Sequence, residues 1–154
     1  MDFPKIISGG QTGADRAALD WAIDNDIPHG GWCPAGRLAE DGVIDSKYNL
    51  KETPKADYLQ RTEWNVRDSD ATVIFSINPD LIGGSLATQK LADQHLKPSL
   101  HLSSLQTPVG RQLRGFIQKH EVKVLNIAGP RSSGEPELRL FIQSVLGELL
   151  ENWE

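Results

Sequence analysis

The sequence predicts an α/β protein, a Rossmann-like three-layer sandwich on a mainly parallel sheet of about five strands. Three observations point there. Short apolar runs alternate with stretches whose apolar residues recur at helical spacing. The 14 glycines fall in groups, and the main groups follow directly on apolar runs. The chain has 154 residues, close to the roughly 150 expected of one domain. With no repeat, linker or low-complexity tract, residues 1–154 read as a single ligand-binding domain.

Residues 5–8 form a short buried strand, and 9–12 a turn that opens a helix near Gly13. Thr12 is the expected N-cap, with Asp15 completing a Thr-x-x-Asp pattern. Ala14, Ala18, Trp21 and Ala22 give this helix its apolar face until Asn25, Asp26 and Pro28 stop it. Residues 28–34 form a second short strand, followed by a polar loop to around Pro54 that is long enough to be functional. Tyr58, Arg61, Thr62, Asn65 and Val66 lie on a short helix, with Arg61 and Asn65 on one face and Glu63 paired with Arg67 on another.

Residues 71–77 are the clearest strand, and the segment at Gly83, Gly84 and Ser85 opens a helix with Leu86, Leu91 and Ala92 inward. A strand at 99–102 precedes the stripe Val109, Leu113, Phe116 and Ile117 of an amphipathic helix. Residues 122–128 are the fifth strand. A last helix runs to near Leu150, with Pro136 suited to its first turn and Leu138, Phe141, Ile142, Val145 and Leu149 inward.

A formal charge of -5 argues against duplex nucleic acid as a partner, because phosphate-backbone binding rests on a broad basic surface. The amino terminus lacks a signal-peptide core and no apolar run is long enough to cross a bilayer, so a cytoplasmic location without a membrane partner is expected. The single cysteine, Cys33, excludes an internal disulfide framework, and without ligand-spaced His or Cys partners it reads as a buried apolar residue and not a metal ligand. An exposed apolar helix face would let such a domain form a homo-oligomer.

In a parallel sheet, ligands bind at the carboxyl ends of the strands where the strand order reverses. The glycine groups all fall on that edge. The turn at Gly9, Gly10, Gln11, Thr12 and Gly13, with Arg16 beyond it, suits close backbone approach and an anion at a helix start. It has neither the G-x-G-x-x-G pattern nor the P-loop Lys-Ser/Thr ending, so neither a dinucleotide nor Walker-type hydrolysis is indicated. A tight packing turn remains the alternative. Gly83, Gly84, Ser85 and Thr88 repeat the logic at a second junction, where Ser85 as a simple cap is the alternative. Arg131 and Ser132 suit a phosphate clamp or a solvated loop. Trp32 offers a plane for a heterocycle, and Arg37 and Arg61 offer guanidinium groups. Asp15, Glu40 and Glu63 are the candidate acids if a reaction occurs; no catalytic dyad stands out.

Together, Ser-Gly-Gly-Gln-Thr-Gly-Ala-Asp-Arg at 8–16, Gly-Gly-Trp-Cys-Pro at 30–34, Gly-Arg at 36–37, Ala-Glu-Asp-Gly at 39–42, the stretch from Arg61 to Asp70, Gly83-Gly84 and Asn-Ile-Ala-Gly-Pro-Arg at 126–131 resemble the putative molybdenum carrier family. That family is related to the lysine-decarboxylase-like phosphoribohydrolases. The resemblance implies a phosphorylated ligand that is nucleotide-like or pterin-like, with molybdenum cofactor (molybdopterin) foremost. The enzymatic relatives carry Pro-Gly-Gly-x-Gly-Thr-x-x-Glu. Here Ile82 replaces the proline, and Gln89 and Lys90 stand where the acid is expected, which speaks against glycosidic hydrolysis. Two functions follow: a carrier, or a nucleotide-processing enzyme such as a nucleoside-monophosphate phosphoribohydrolase.

Overall fold

A computed structural model describes residues 1–104 and 108–153. Five parallel strands form the central sheet: β1 (Lys5–Ile7), β2 (His29–Gly30), β7 (Ala71–Ser76), β8 (Ser99–Ser103) and β9 (Val124–Ala128), in the order β2-β1-β9-β7-β8. The helices are α1 (Ala14–Asp24), α2 (Tyr58–Arg67), α3 (Gly83–Gln94), α4 (Val109–Lys119) and α5 (Leu138–Glu151). The β1-α1-β2 unit steps one way across the sheet and β7-α3-β8 the other, with β9 inserted between them. The order therefore reverses around β1, β9 and β7, where a crevice opens at the carboxyl ends.

Apolar spacing explains the layers. Ala14, Ala18 and Trp21 of α1, Leu113 and Ile117 of α4, and Ile142 and Leu146 of α5 share one core with Ile6, Phe75, Leu125 and Ile127 of the sheet. Each fully buried Leu, Ile or Phe contributes about 1.5–3 kcal/mol. Val66 of α2 packs with Leu91 and Ala92 of α3 in a separate cluster. All six residues of β7 are buried, so the middle of the sheet is covered on both faces.

Several boundaries differ from the sequence reading. The strand expected over 28–34 breaks at Gly31, whose φ of 129° turns the chain and where a Cβ would lie 2.2 Å from the Ser8 carbonyl oxygen. Its second half is β3 (Trp32–Cys33), paired with β6 (Lys51–Glu52); between them lies the hairpin β4 (Leu38–Ala39) and β5 (Gly42–Val43). The expected polar loop is thus a folded excursion, with its own core of Cys33, Ala39, Ile44, Tyr48 and Leu50 against Leu19 of α1. Arg37 holds it from inside, donating to the carbonyls of Ile44, Leu50, Asp45 and Tyr48.

Thr12 does not cap α1. The N-cap is Gly13, with no side-chain cap, because the Thr12 hydroxyl is engaged by Glu40 and by the Ser132 amide. In α3 the buried face is Ser85, Thr88, Leu91 and Ala92, with Leu86 only half-buried. Pro136 precedes α5 instead of opening it.

Gly13 has φ 81°, and a Cβ there would stand 2.3 Å from the Pro130 carbonyl oxygen. Both partners are backbone, so neither can swing aside. Gly13→Ala should lower unfolding stability by roughly 2–4 kcal/mol in urea titrations; a loss under about 0.5 kcal/mol, no more than an ordinary surface substitution, would contradict this packing.

Candidate functional site

A cavity of about 310 Å³ occupies the crevice at the switch point. Its floor is the carboxyl ends of β7 and β9, with Ser76 and Asn126. Arg61, Thr62 and Asn65 of α2 form one wall, the start of α3 another, and the segment from Ala128 to Glu135 closes the mouth. Of the residues singled out in the sequence, Gly9, Gln11, Asp15, Arg61, Gly84, Ser85, Thr88 and Arg131 border this space.

The 9–13 turn sits where expected, and its Gln11 and Thr12 amides, with that of Ala14 just beyond it, are taken up internally. Gln11 N–H donates to Asp15, Thr12 N–H to the Gln11 side chain, and Ala14 N–H to the Pro130 carbonyl. Its glycines admit neighbours. A Cβ on Gly9 would lie 2.4 Å from the Arg61 side chain, and one on Gly10 would lie 2.6 Å from Leu50. Packing therefore requires glycine at these positions.

The start of α3 is different. Its N-cap is Ile82, which offers no side-chain acceptor, and among the described residues no side-chain cap bond is made there. Such a helix end attracts anions. Thr88 is turned inward, donating to the Gly84 carbonyl at 2.8 Å.

Two guanidinium groups gather beside the cleft around one ring: Arg61 stands 5.1 Å and Arg131 5.4 Å from the centre of Tyr58. Arg61 is 7% exposed and donates to the Gly9 carbonyl at 3.1 Å and to Asp15 at 3.4 Å. Arg131 is exposed and makes no salt bridge among the described residues. Burial pushes the Asp15 carboxyl up, against the lowering pull of Arg61, the Gln11 amide and Arg16.

The other candidates are held elsewhere. Arg16 donates to the Gly10 carbonyl and pairs with Asp41 at 2.6 Å. Trp32 is tied through its backbone to Asn65 and through its ring N–H to Asp68, with Trp64 edge-on at 4.7 Å. Arg37 is enclosed in its excursion. Glu63 pairs with His95 at 3.0 Å, while Arg67 pairs with Asp68, so the expected Glu63–Arg67 pair does not form. Glu40 accepts from Thr12, from the Ser133 amide and from the Ser133 hydroxyl, latching the hairpin to the loop that contains Ser132. Gly83 starts α3 with open space around its Cβ position. Cys33 is buried away from the cleft, and among the described residues no three His, Cys, Asp or Glu side chains gather as a metal site.

Sequence reasoning passed over Ser76, Asn126 and Glu135. Asn126 carried a signal, as the polar residue within the otherwise apolar β9, and Ser76 a weaker one at the end of β7. Ser76 bonds the Asn78 carbonyl and meets His101 at 2.6 Å, and Asn126 donates to Thr72. Glu135 carried none, since its role depends on accepting the Ile77 and Asn78 amides from far along the chain.

Residues 6–150 match the Circularly permutated YpsA SLOG family. Among solved structures, one named "Putative molybdenum carrier protein", from Syntrophus aciditrophicus SB, is 47% identical over 96% of this chain and 95% of that one, with a TM-score of 0.90. Among curated proteins none matches. Among the described residues no helix is long and apolar enough to cross a membrane.

The Glu40 latch gives a pH signature. Hydrogen bonds from Thr12 and then Ser133 hold its carboxyl below the usual range. A depressed folded-state value stabilises the fold above the unfolded value, about 4.3, and that contribution fades as pH falls through the folded one. Glu40→Gln should therefore lower the thermal midpoint at neutral pH, with the gap to the parent protein closing below about pH 4. A gap that persists unchanged in acid would contradict the latch.

Proposed function

Because the chain belongs to the Circularly permutated YpsA SLOG family, we propose that its cleft binds a phosphorylated small ligand, molybdenum cofactor or a nucleotide, and that the protein carries this ligand without transforming it. The observation behind this is the uncapped start of α3 facing a cavity that Arg61 and Arg131 also border. A helix end supplies fixed donors for a phosphate, and guanidinium groups add charge and forked geometry. The relative named as a molybdenum carrier supports the choice of ligand.

The donor set fits the phosphate of such a ligand. The first-turn amides of α3, Ser85 and Arg131 would hold it, and Asn126 would meet the heterocycle. A cavity of about 310 Å³ is at the small end for a ligand of this size, so part of the ligand would extend through the mouth. The placement of the acids supports carriage over catalysis: Glu40 and Glu63 lie outside the cleft in fixed bonds, and Asp15 is bound to Arg61. Asp15 is also the observation that favours the enzymatic reading, since burial raises its carboxyl beside the cleft.

Calorimetry with molybdopterin, AMP and GMP, with molybdate as an oxyanion control, tests the proposal. At least one phosphorylated compound should bind, and Arg131→Met, an exposed change outside the core, should weaken it about tenfold by loss of a charged hydrogen bond. No binding of any phosphorylated compound at millimolar concentration would refute the reading. Release of free base from AMP or GMP would move the assignment to an enzyme acting through Asp15.

A further inference from the structure

Among the described residues two buried side-chain polar atoms lack a hydrogen-bond partner, Gln11 Nε2 and Arg114 Nε. Buried donors are almost always satisfied, so each invites an explanation. Arg114 reaches the Trp153 carbonyl through another nitrogen at 3.5 Å. Gln11 Nε2 is its side chain's only donor nitrogen. Its Oε1 accepts the Thr12 amide at 3.0 Å and the Glu40 amide at 2.8 Å. Turning the side-chain amide over would set its NH2 group against both N–H donors, so the orientation is fixed. Nε2 is left as a donor in a side chain that is 6% exposed and borders the cleft.

We propose that Gln11 Nε2 donates a hydrogen bond to an acceptor oxygen of the bound ligand, which makes Gln11 a specificity-determining residue of the cleft. This rests on the reading that the cleft holds a phosphorylated ligand. The surroundings define the chemistry. The Gln11 backbone and Arg61 meet the same oxygen, Asp15 Oδ2, at 3.2 Å and 3.4 Å. The Gln11 main chain and Arg61 are thus tied to one carboxylate, which offsets the guanidinium charge. An amino group placed against Gln11 Nε2 would leave two donors facing each other, both unsatisfied. An oxygen, either phosphoryl or a ring oxo group, satisfies the site. The same side-chain amide bonds Glu40 N–H, so it joins the ligand to the hairpin β4–β5 as well as to the 9–13 turn.

Side-chain amide signals of glutamine-¹⁵N-labelled protein, titrated with inorganic phosphate, AMP, GMP and molybdopterin, test this. Gln11→Glu keeps an acceptor for the Thr12 and Glu40 amides while removing the donor, so its missing signals assign Gln11. At saturation the Gln11 side-chain protons should move downfield and exchange more slowly. Gln11→Glu should bind about tenfold or more weakly with the thermal midpoint retained, and more weakly than Thr62→Glu, which adds the same charge elsewhere on the wall. Movement with every probe assigns a phosphoryl oxygen; movement with GMP and molybdopterin but not AMP or phosphate assigns a ring oxo group. A probe that saturates the protein while the Gln11 signals stay in place overturns the proposal and leaves the carrier reading intact. Failure of every probe to saturate overturns both.

Discussion

The turn from Gly9 to Gly13 must lack side chains at three of its positions, because three other segments close directly on its backbone. Arg61 lies against Gly9, Leu50 and Ile44 against Gly10, and the Pro130–Arg131 backbone against Gly13. These contacts come from α2, from the 31–53 excursion and from the loop after β9. One tight turn therefore positions two sides of the cleft, α2 and the loop after β9. The Gln11 and Thr12 amides go to Asp15 and to the Gln11 side chain, and that of Ala14 goes to Pro130, so these donors of the turn are already used.

We place the ligand's anion at the start of α3. The Ile82 side chain has no acceptor to cap the helix, and among the described residues no side-chain cap replaces it. Arg61 and Arg131 approach from the other walls, but they are not equivalent. Arg61 is buried and offset by Asp15, which makes it a structural post as much as a charge. Arg131 is exposed and pairs with no carboxylate among the described residues, so its charge is available to an incoming ligand.

The alternation of strands and helices was legible in the sequence because α1, α4 and α5 carry apolar residues at helical spacing and the inner strands are largely apolar runs. The site was legible in part. Glycine groups marked the carboxyl edge of the sheet, and that is where the cleft lies. What the spacing could not reveal is which donors a turn has already used. Thr12 reads as a cap in sequence, but Glu40 and Ser132, remote in the chain, claim its hydroxyl. Arg37 reads as an anion contact, yet its left-handed backbone, with φ 56°, and the surrounding carbonyls make it the internal brace of the excursion. Trp32 reads as a stacking plane, but it is fixed edge-on to Trp64. In each case a contact across many residues of sequence decided the outcome over a local pattern.

The central claim is that the ligand's anion rests on the start of α3 and not on the 9–13 turn. Backbone amide ¹H–¹⁵N shifts on addition of GMP test it most directly. Gly83, Gly84 and Ser85 should move most among the backbone amides, while that of Ala14, held by the Pro130 carbonyl, stays nearly still. A large shift at Ala14 with an unperturbed Gly83–Ser85 segment would contradict this placement.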